Sequence, residues 1–411
     1  MRLNGQRKIL LLCWLTYTLA YTLRVNIAVV IPVLVAERGY TYTQMGLVTS
    51  LFFITYMSGQ LASGYLGDRV SSKLMIITGL VLSAAFNIGL VLSTSLLAVA
   101  LCWALNGLAQ SMLWAPIIKA LTVWFTGRQL EKVSFVMSIS MVVGYALSWG
   151  TSSLLTTYLD WRLAFYLPAG LVLLQAFLML LFFHSQPIDR SPAFGKTAEP
   201  TRDLSILSFF RLIRLPGLLL IAVAQRMIRE GISVWFPTIL QSSGRLPAKS
   251  PWVILIILPI LNLGGILFVR RISLLHRGDS TRTLHWIFGL ITGTAILMAV
   301  LMTRWPWLIL TGMILLLPLS YGLTPILTSV IPFQYAQFRR VSLTAGVLDF
   351  AIYLGAAISG LLSGVIADHY AWNGIVVLWL GAAFIGTAVS LIRFKKNKGR
   401  KRHEQTIHHP S

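Results

Sequence analysis

The chain is short of charge. Only 11% of its 411 residues are Asp, Glu, Lys or Arg, and the acids number just 12. A water-facing domain carries about 25% charged residues, so a soluble globule of this size would lack the polar surface to cover itself. Cysteine is equally scarce. The two present, Cys13 and Cys102, both fall in apolar runs, which excludes a disulfide framework and makes them small buried residues. The seven histidines form no metal-spaced cluster, and His403, His408 and His409 lie near the C-terminus. There is no nucleophile–base arrangement and no phosphate loop. The sequence therefore points away from an enzyme and implies no cofactor and no metal.

What is present is apolar length. Hydrophobic residues make up 56% of the chain and gather in blocks of about 20, the length that crosses about 30 Å of hydrocarbon. Lipid cannot satisfy an open backbone, so such blocks must be helices. The expected spans are 9–34, 43–66, 73–93, 97–123, 133–157, 163–183, 216–241, 251–270, 283–302, 306–330, 340–364 and 371–393. The N-terminal run resembles a signal peptide. It continues past Arg24 to Val35 without a small-residue cleavage site, which makes it an uncleaved first span. The interval from His184 to Arg214 is the longest polar one and holds Pro187, Pro192, Gly195 and Pro200. The expected organisation is thus a bundle over 1–183, a linker over 184–215, a second bundle over 216–393 and a basic tail over 394–411. The fold class is all-α integral membrane, twelve transmembrane helices in two pseudo-symmetric six-helix bundles, and a monomer is the default state for it.

A net charge of +22 would suggest nucleic acid in a soluble protein, but here it follows membrane topology. With the N-terminus in the cytoplasm, 25 Lys and Arg fall in inside segments and five in outside segments. That bias obeys the positive-inside rule and puts both termini in the cytoplasm of a cell-membrane protein. The basic segments then contact lipid head groups of the bilayer, and no nucleic-acid partner is expected.

The two halves echo one another. Leu23-Arg24-Val25-Asn26-Ile27, with Pro32 eight residues after the arginine, matches Ile228-Arg229-Glu230-Gly231-Ile232, with Pro237 at the same distance. Near the ends of the halves, Tyr158-Leu159-Asp160-Trp161-Arg162 matches Tyr370-Ala371-Trp372-Asn373-Gly374. Similar offsets indicate a duplicated six-span unit.

Ionisable groups inside spans are expensive and mark a pathway or a paired site. Arg24 lies in the first span and Arg229 in the seventh, positions related by the duplication. They can face each other across a central cavity and hold an anion by forked hydrogen bonds, or each can pair with an acid in its own bundle. Tyr17, Tyr21 and Arg24 share one helix face. Arg226, Arg229 and Glu230 share another, and Asp349 lies one turn before Tyr353. Glu230 and Asp349 either neutralise surplus arginine or carry a coupling proton. Lys119 either snorkels to the cytoplasmic surface or meets the solute.

The loop Gly64-Tyr65-Leu66-Gly67-Asp68-Arg69 resembles the signature loop of the major facilitator superfamily, in which Asp68 and Arg69 would serve gating. Tyr21-Thr22-Leu23-Arg24-Val25-Asn26, Trp114-Ala115-Pro116-Ile117-Ile118-Lys119, Met227-Ile228-Arg229-Glu230-Gly231 and Trp235-Phe236-Pro237-Thr238-Ile239-Leu240 resemble the organophosphate:phosphate antiporter branch, the glycerol-phosphate and hexose-phosphate carriers. The resemblance covers nearly the whole chain. It implies that Arg24 and Arg229 hold phosphate, and that Tyr17, Tyr21, Tyr56, Tyr321, Tyr353 and Trp114 belong to the substrate site. The chain departs from that pattern at Val25, Gln60 and Met141, and at Arg226, where the branch can have tyrosine. Arg226 with Asp349 implies a different charge arrangement at the non-phosphate end of the ligand. The expected function is transport of a small organic anion, a phosphate ester exchanged for inorganic phosphate. The alternatives are a proton-coupled carrier of a sugar acid and a transport-deficient sensor of a phosphorylated sugar.

Overall fold

The computed structural model describes residues 2–66, 69–125, 128–183, 206–242, 251–302, 308–335 and 341–391. Most of the 184–215 interval, the basic tail and Asp68 lie outside the described residues. The rest is helical: α1 (Arg2–Thr22), α2 (Asn26–Arg38), α3 (Tyr42–Leu66), α4 (Ser72–Leu92), α5 (Leu96–Ser111), α6 (Trp114–Trp124), α7 (Arg128–Tyr158), α8 (Leu163–Phe182), α9 (Ile206–Leu212), α10 (Leu215–Ser242), α11 (Pro251–Leu275), α12 (Ser280–Leu301), α13 (Leu308–Pro325), α14 (Ile331–Gln334) and α15 (Val341–Ser390). A π-helical turn, Ile326–Val330, joins α13 to α14.

Among the described residues, ten stretches are long and apolar enough to cross a membrane. The last of them covers 48 residues, and α15 turns sharply at Ala371, where φ is 54°. At 1.5 Å per residue that stretch supplies two crossings. The 28-residue α10 is also long enough, although Arg226, Arg229 and Glu230 interrupt its apolar character. Twelve crossings result. Large apolar side chains such as Leu174, Phe177, Leu297, Val377 and Phe384 remain exposed on the outer faces, where lipid tails rather than water would cover them.

Two expected spans are broken helices. The first runs from α1 to α2 with Leu23, Arg24 and Val25 outside regular helix, and the fourth breaks at Met112–Leu113 between α5 and α6. A break at membrane depth is tolerated only where protein groups satisfy the freed backbone.

In the first half, α1 packs on α7 and α8, α3 on α5, and α4 on α5 and α8. In the second, α10 packs on α13 and α15, α11 on α13, and α12 on α13 and α15. The bundles meet along α3 with α15, α7 with α11, and α2 with α10. Glycine permits the closest approach: a Cβ on Gly46 would lie 3.3 Å from the Cα of Gly364. Hydrogen bonds crossing between the bundles gather at the end remote from Arg2 and Ser390. The Asp368 carboxylate accepts from the N–H groups of Tyr42 (3.0 Å) and Thr43 (2.7 Å). Ser50 Oγ donates to the carbonyl of Ala357 at 2.6 Å, and Gln241 Nε2 donates to that of Val29 at 3.3 Å. Tyr42 packs edge-on against Trp235 and Trp372, which are tilted against each other. This end is closed.

Candidate functional site

Inside the closed end, the inner faces of the two halves enclose a cavity lined by Tyr21, Arg24, Phe52, Trp103, Tyr145, Arg226, Arg229, Glu230 and their apolar neighbours. Its volume is about 30 Å³, room for roughly two waters. Arg24 and Arg229, over two hundred positions apart in the chain, therefore share one site, which the sequence left open between a common cavity and separate ion pairs.

Arg24 stands in the gap between α1 and α2. Its Nε donates to Gln110 Oε1 at 2.8 Å, and Nη1 reaches the Tyr21 hydroxyl at 3.5 Å. The guanidinium lies over the rings of Tyr56 (4.5 Å) and Tyr21 (4.8 Å), contacts that favour a cation over the π face. Among the described residues no carboxylate forms an ion pair with it, and its Nη2 is buried without a hydrogen-bond partner. A buried donor left unmade is costly.

Arg229 sits mid-helix in α10. Nη1 donates to Thr324 Oγ1 at 2.9 Å, and the guanidinium lies 3.7 Å from the ring centre of Tyr321. Glu230 Oε1 is 2.9 Å from Arg226 Nη2 and 3.8 Å from Arg229 Nε. All three side chains are nearly fully buried. Glu230 thus neutralises Arg226 at close range and Arg229 at longer range, while Arg229 Nε finds no hydrogen bond. Arg226 also faces the Tyr353 ring at 5.3 Å.

The other expected aromatic site residues, Tyr17, Tyr56, Trp114, Tyr321 and Tyr353, are not part of the cavity lining. Tyr17 packs on Trp114 at 4.6 Å and edge-on against Tyr21 at 5.3 Å. Tyr56 meets Tyr353 across the bundle interface at 4.8 Å, and Tyr145 meets Tyr321 at 6.3 Å. Asp349 and Lys119 do not line the cavity. Arg69 is exposed over the Tyr65 ring at 4.1 Å, on the terminal side of the molecule. At Met141 the sulfur accepts from the Tyr21 hydroxyl at 3.2 Å.

Sequence reasoning passed over the amides that repair the break in the first span. The Leu23 carbonyl accepts from Asn106 Nδ2 at 2.8 Å and Asn87 Nδ2 at 3.2 Å. Asn26 Nδ2 donates to Asn87 Oδ1 and to the Ala164 carbonyl. The Ala20 carbonyl accepts from Gln110 Nε2 at 3.1 Å, and Ser83 Oγ donates to Asn106 Oδ1 at 2.6 Å. All these side chains are fully or nearly fully buried. Their signal was in the sequence: Asn87, Asn106 and Gln110 are uncharged amides in otherwise apolar spans, the last two four residues apart and hence on one face.

Two helical bundles around a buried cavity fit the one family model that matches the sequence, over residues 13–359. The chain belongs to the Major Facilitator Superfamily. Among curated relatives in this superfamily, a probable hexose phosphate transport protein of Chlamydia muridarum is 27% identical over 164 residues. That match spans 40% of this chain and 36% of the relative's length. The glycerol-3-phosphate transporter of Bacillus subtilis is 24% identical over 93% of this chain and 90% of its own. Among solved structures, a D-xylose-proton symporter superposes with a TM-score of 0.75 over 97% of this chain and all of its own, at 11% identity. At that identity the likeness concerns the fold alone.

Proposed function

We propose that this chain carries a small phosphate-bearing organic anion across the cell membrane by alternating access, in exchange for inorganic phosphate. One observation carries the reading: Arg24 and Arg229 line the same buried cavity, and each keeps a buried nitrogen without a hydrogen bond. Guanidinium forks bind phosphate oxygens in pairs. An anion between them would tie the bundles together, because one arginine belongs to each half. The relatives named for hexose phosphate and glycerol 3-phosphate support the same ligand chemistry.

With both termini in the cytoplasm, the closed end faces outward. The cavity of about 30 Å³ is too small for a sugar phosphate, so the halves must part on the cytoplasmic side to admit one. Rocking about the midplane site then exposes it to each side in turn. In the empty carrier both guanidinium groups lie buried with unmade hydrogen bonds, which disfavours the crossing conformation and enforces exchange. Arg69 and Asp68 would act on the cytoplasmic side as gating residues. Tyr17, Tyr56, Trp114, Tyr321 and Tyr353 hold the walls, and Lys119 stands on the path to the cytoplasm.

The second reading is proton-coupled uptake of a sugar acid, favoured by the intramembrane carboxylates Glu230 and Asp349, groups of the kind that relay protons in carriers. Counterflow in proteoliposomes separates the two. Phosphate-loaded vesicles should take up sugar phosphates, and an imposed pH gradient alone should drive nothing. Uptake of sugar acids driven by the gradient without internal phosphate would overturn the exchange reading. Binding of sugar phosphate without any flux would mark a sensor.

A further inference from the structure

Behind Arg24, and outside the cavity lining, lies Gln110 on α5. It is completely buried. The two N–H groups of its Nε2 are shared among three acceptors, the Ala20 carbonyl at 3.1 Å, Ser83 Oγ at 3.2 Å and Asn106 Oδ1 at 3.4 Å. A backbone carbonyl and an amide oxygen can only accept, so the amide group cannot be turned round. Its Oε1 must face Arg24 Nε, 2.8 Å away. The guanidinium is therefore fixed in place by a neutral acceptor that is itself locked on three sides. The ionisable side chains around Arg24 are the phenols of Tyr17 and Tyr21 on α1, Tyr56 on α3 and Tyr353 on α15, with Tyr145 of α7 and Arg226, Arg229 and Glu230 of α10 across the cavity. The cavity wall thus holds three guanidinium groups and one carboxylate, a net of two positive charges.

We propose that Gln110 is a positioning residue that orients Arg24 without neutralising it, and that this reserve of charge tunes the cavity to a dianionic head group rather than a monoanionic one. A carboxylate at position 110 would cancel the charge of Arg24 and would set an oxygen against the Ala20 carbonyl and Asn106 Oδ1, which can only accept. A neutral amide separates the two tasks. The inference rests on the phosphate-ester reading above. It explains why the first-half arginine needs no acid while the second-half pair of arginines shares one.

The test is ligand binding by the full-length protein in detergent, with glycerol 3-phosphate, inorganic phosphate and glucuronate as probes between pH 5.5 and 8. A phosphate monoester takes its second charge near pH ~6, so wild-type affinity for glycerol 3-phosphate should rise through that point. Gln110→Glu should weaken binding at pH 8 by roughly tenfold or more, the scale of a lost hydrogen bond to a charged group. Its deficit should shrink below pH ~6, where the ester is a monoanion, so its pH profile is displaced to acid. Gln110→Met removes the acceptor without adding charge. It should weaken binding at every pH and keep the wild-type profile. Wild-type affinity in Gln110→Glu at pH 8, or identical profiles in the two variants, would overturn the proposal. If Gln110→Glu cannot be purified folded, Gln110→Met decides, since wild-type affinity in it removes the positioning role. Failure of the phosphate-ester reading looks different. In that case the wild type binds neither phosphate probe, whereas glucuronate binding that weakens in both variants would leave the positioning role standing.

Discussion

The two halves of this chain place an arginine at related positions and secure it by opposite means. Arg24 occupies a break between α1 and α2 and is held by a neutral amide, with side-chain amides from α4 and α5 repairing the backbone around it. Arg229 lies in the unbroken α10, with a hydroxyl from α13 on one side and the carboxylate of its own neighbour, Glu230, on the other. The two halves thus match in the placement of charge and differ in its compensation. The first half presents a bare cation on an irregular segment. The second presents a cation inside a partly neutralised triad on a rigid helix. An anion arriving between them has most to gain from the first half, and the second sets the register against which it is held.

The largest effect that could break this contrast lies in the triad. Removing one partner of a buried ion pair leaves an uncompensated charge and costs about 3–5 kcal/mol. Glu230→Gln should lower the melting temperature sharply, and the further change Arg226→Met should recover most of the loss. If the single variant melts like the wild type, Glu230 is not neutralising Arg226 and the two halves differ less than the geometry indicates. Next in size are the forks themselves. Arg24→Lys and Arg229→Lys keep the charge and lose the paired donors, so each should reduce phosphate counterflow by roughly a hundredfold, the upper scale of a charge-assisted hydrogen bond. Stability should rise slightly in neither. Full exchange in both variants would remove the two-arginine site.

Much of the outline was legible because it depends on quantities a sequence carries directly. Apolar length fixed the spans, and charge scarcity made Arg24, Arg226, Arg229 and Glu230 conspicuous. The echo at Arg24 and Arg229 with their downstream prolines anticipated their shared cavity. What escaped were features that depend on which polar group meets which. The first span read as one helix over 9–34, because nothing in Leu23-Arg24-Val25 is a strong helix breaker. The break exists because Asn87, Asn106 and Gln110 from other spans catch the freed carbonyls, a tertiary fact. Likewise the 48-residue run closing the chain was divisible by length, but the turn at Ala371 carries no proline or glycine at that position to announce it. Ile206–Leu212 forms a helix inside the interval read as linker, where Arg202, Arg211 and Arg214 masked its short apolar run.

A smaller effect separates the two kinds of support for the arginines. Asn106→Leu takes one of two donors from the Leu23 carbonyl and an acceptor from Ser83, costing about 1–3 kcal/mol for groups left buried and unmade. Thr324→Val removes a single hydroxyl beside Arg229 and should cost about 1 kcal/mol. Thermal unfolding of the two variants, measured side by side, should rank them in that order. The reverse ranking would mean that the break at Arg24 is held by packing rather than by the amide lattice.

The mildest change concerns how the halves close on one another. Asp368, at the end of the first crossing in α15, accepts from the first N–H groups of α3, an N-terminal cap supplied by the opposite bundle. An acid at a helix N-terminus both satisfies orphan donors and opposes the positive end of the helix dipole. In the sequence, Ser63-Gly64 with Asp68 repeats Ser363-Gly364 with Asp368 at a spacing of 300 positions. Asp368→Asn keeps an acceptor and loses the charge, a cost of about 0.3–1 kcal/mol for a charge at a helix N-terminus, felt only in the state closed at this end. The balance should move a few-fold toward opening there. A cysteine placed at Ser233, which lines the cavity, would report it through faster reaction with a membrane-impermeant thiol reagent applied from the α3 N-terminal side. An unchanged rate would show that the glycine contact at Gly46 and Gly364 closes this end without help from the cap.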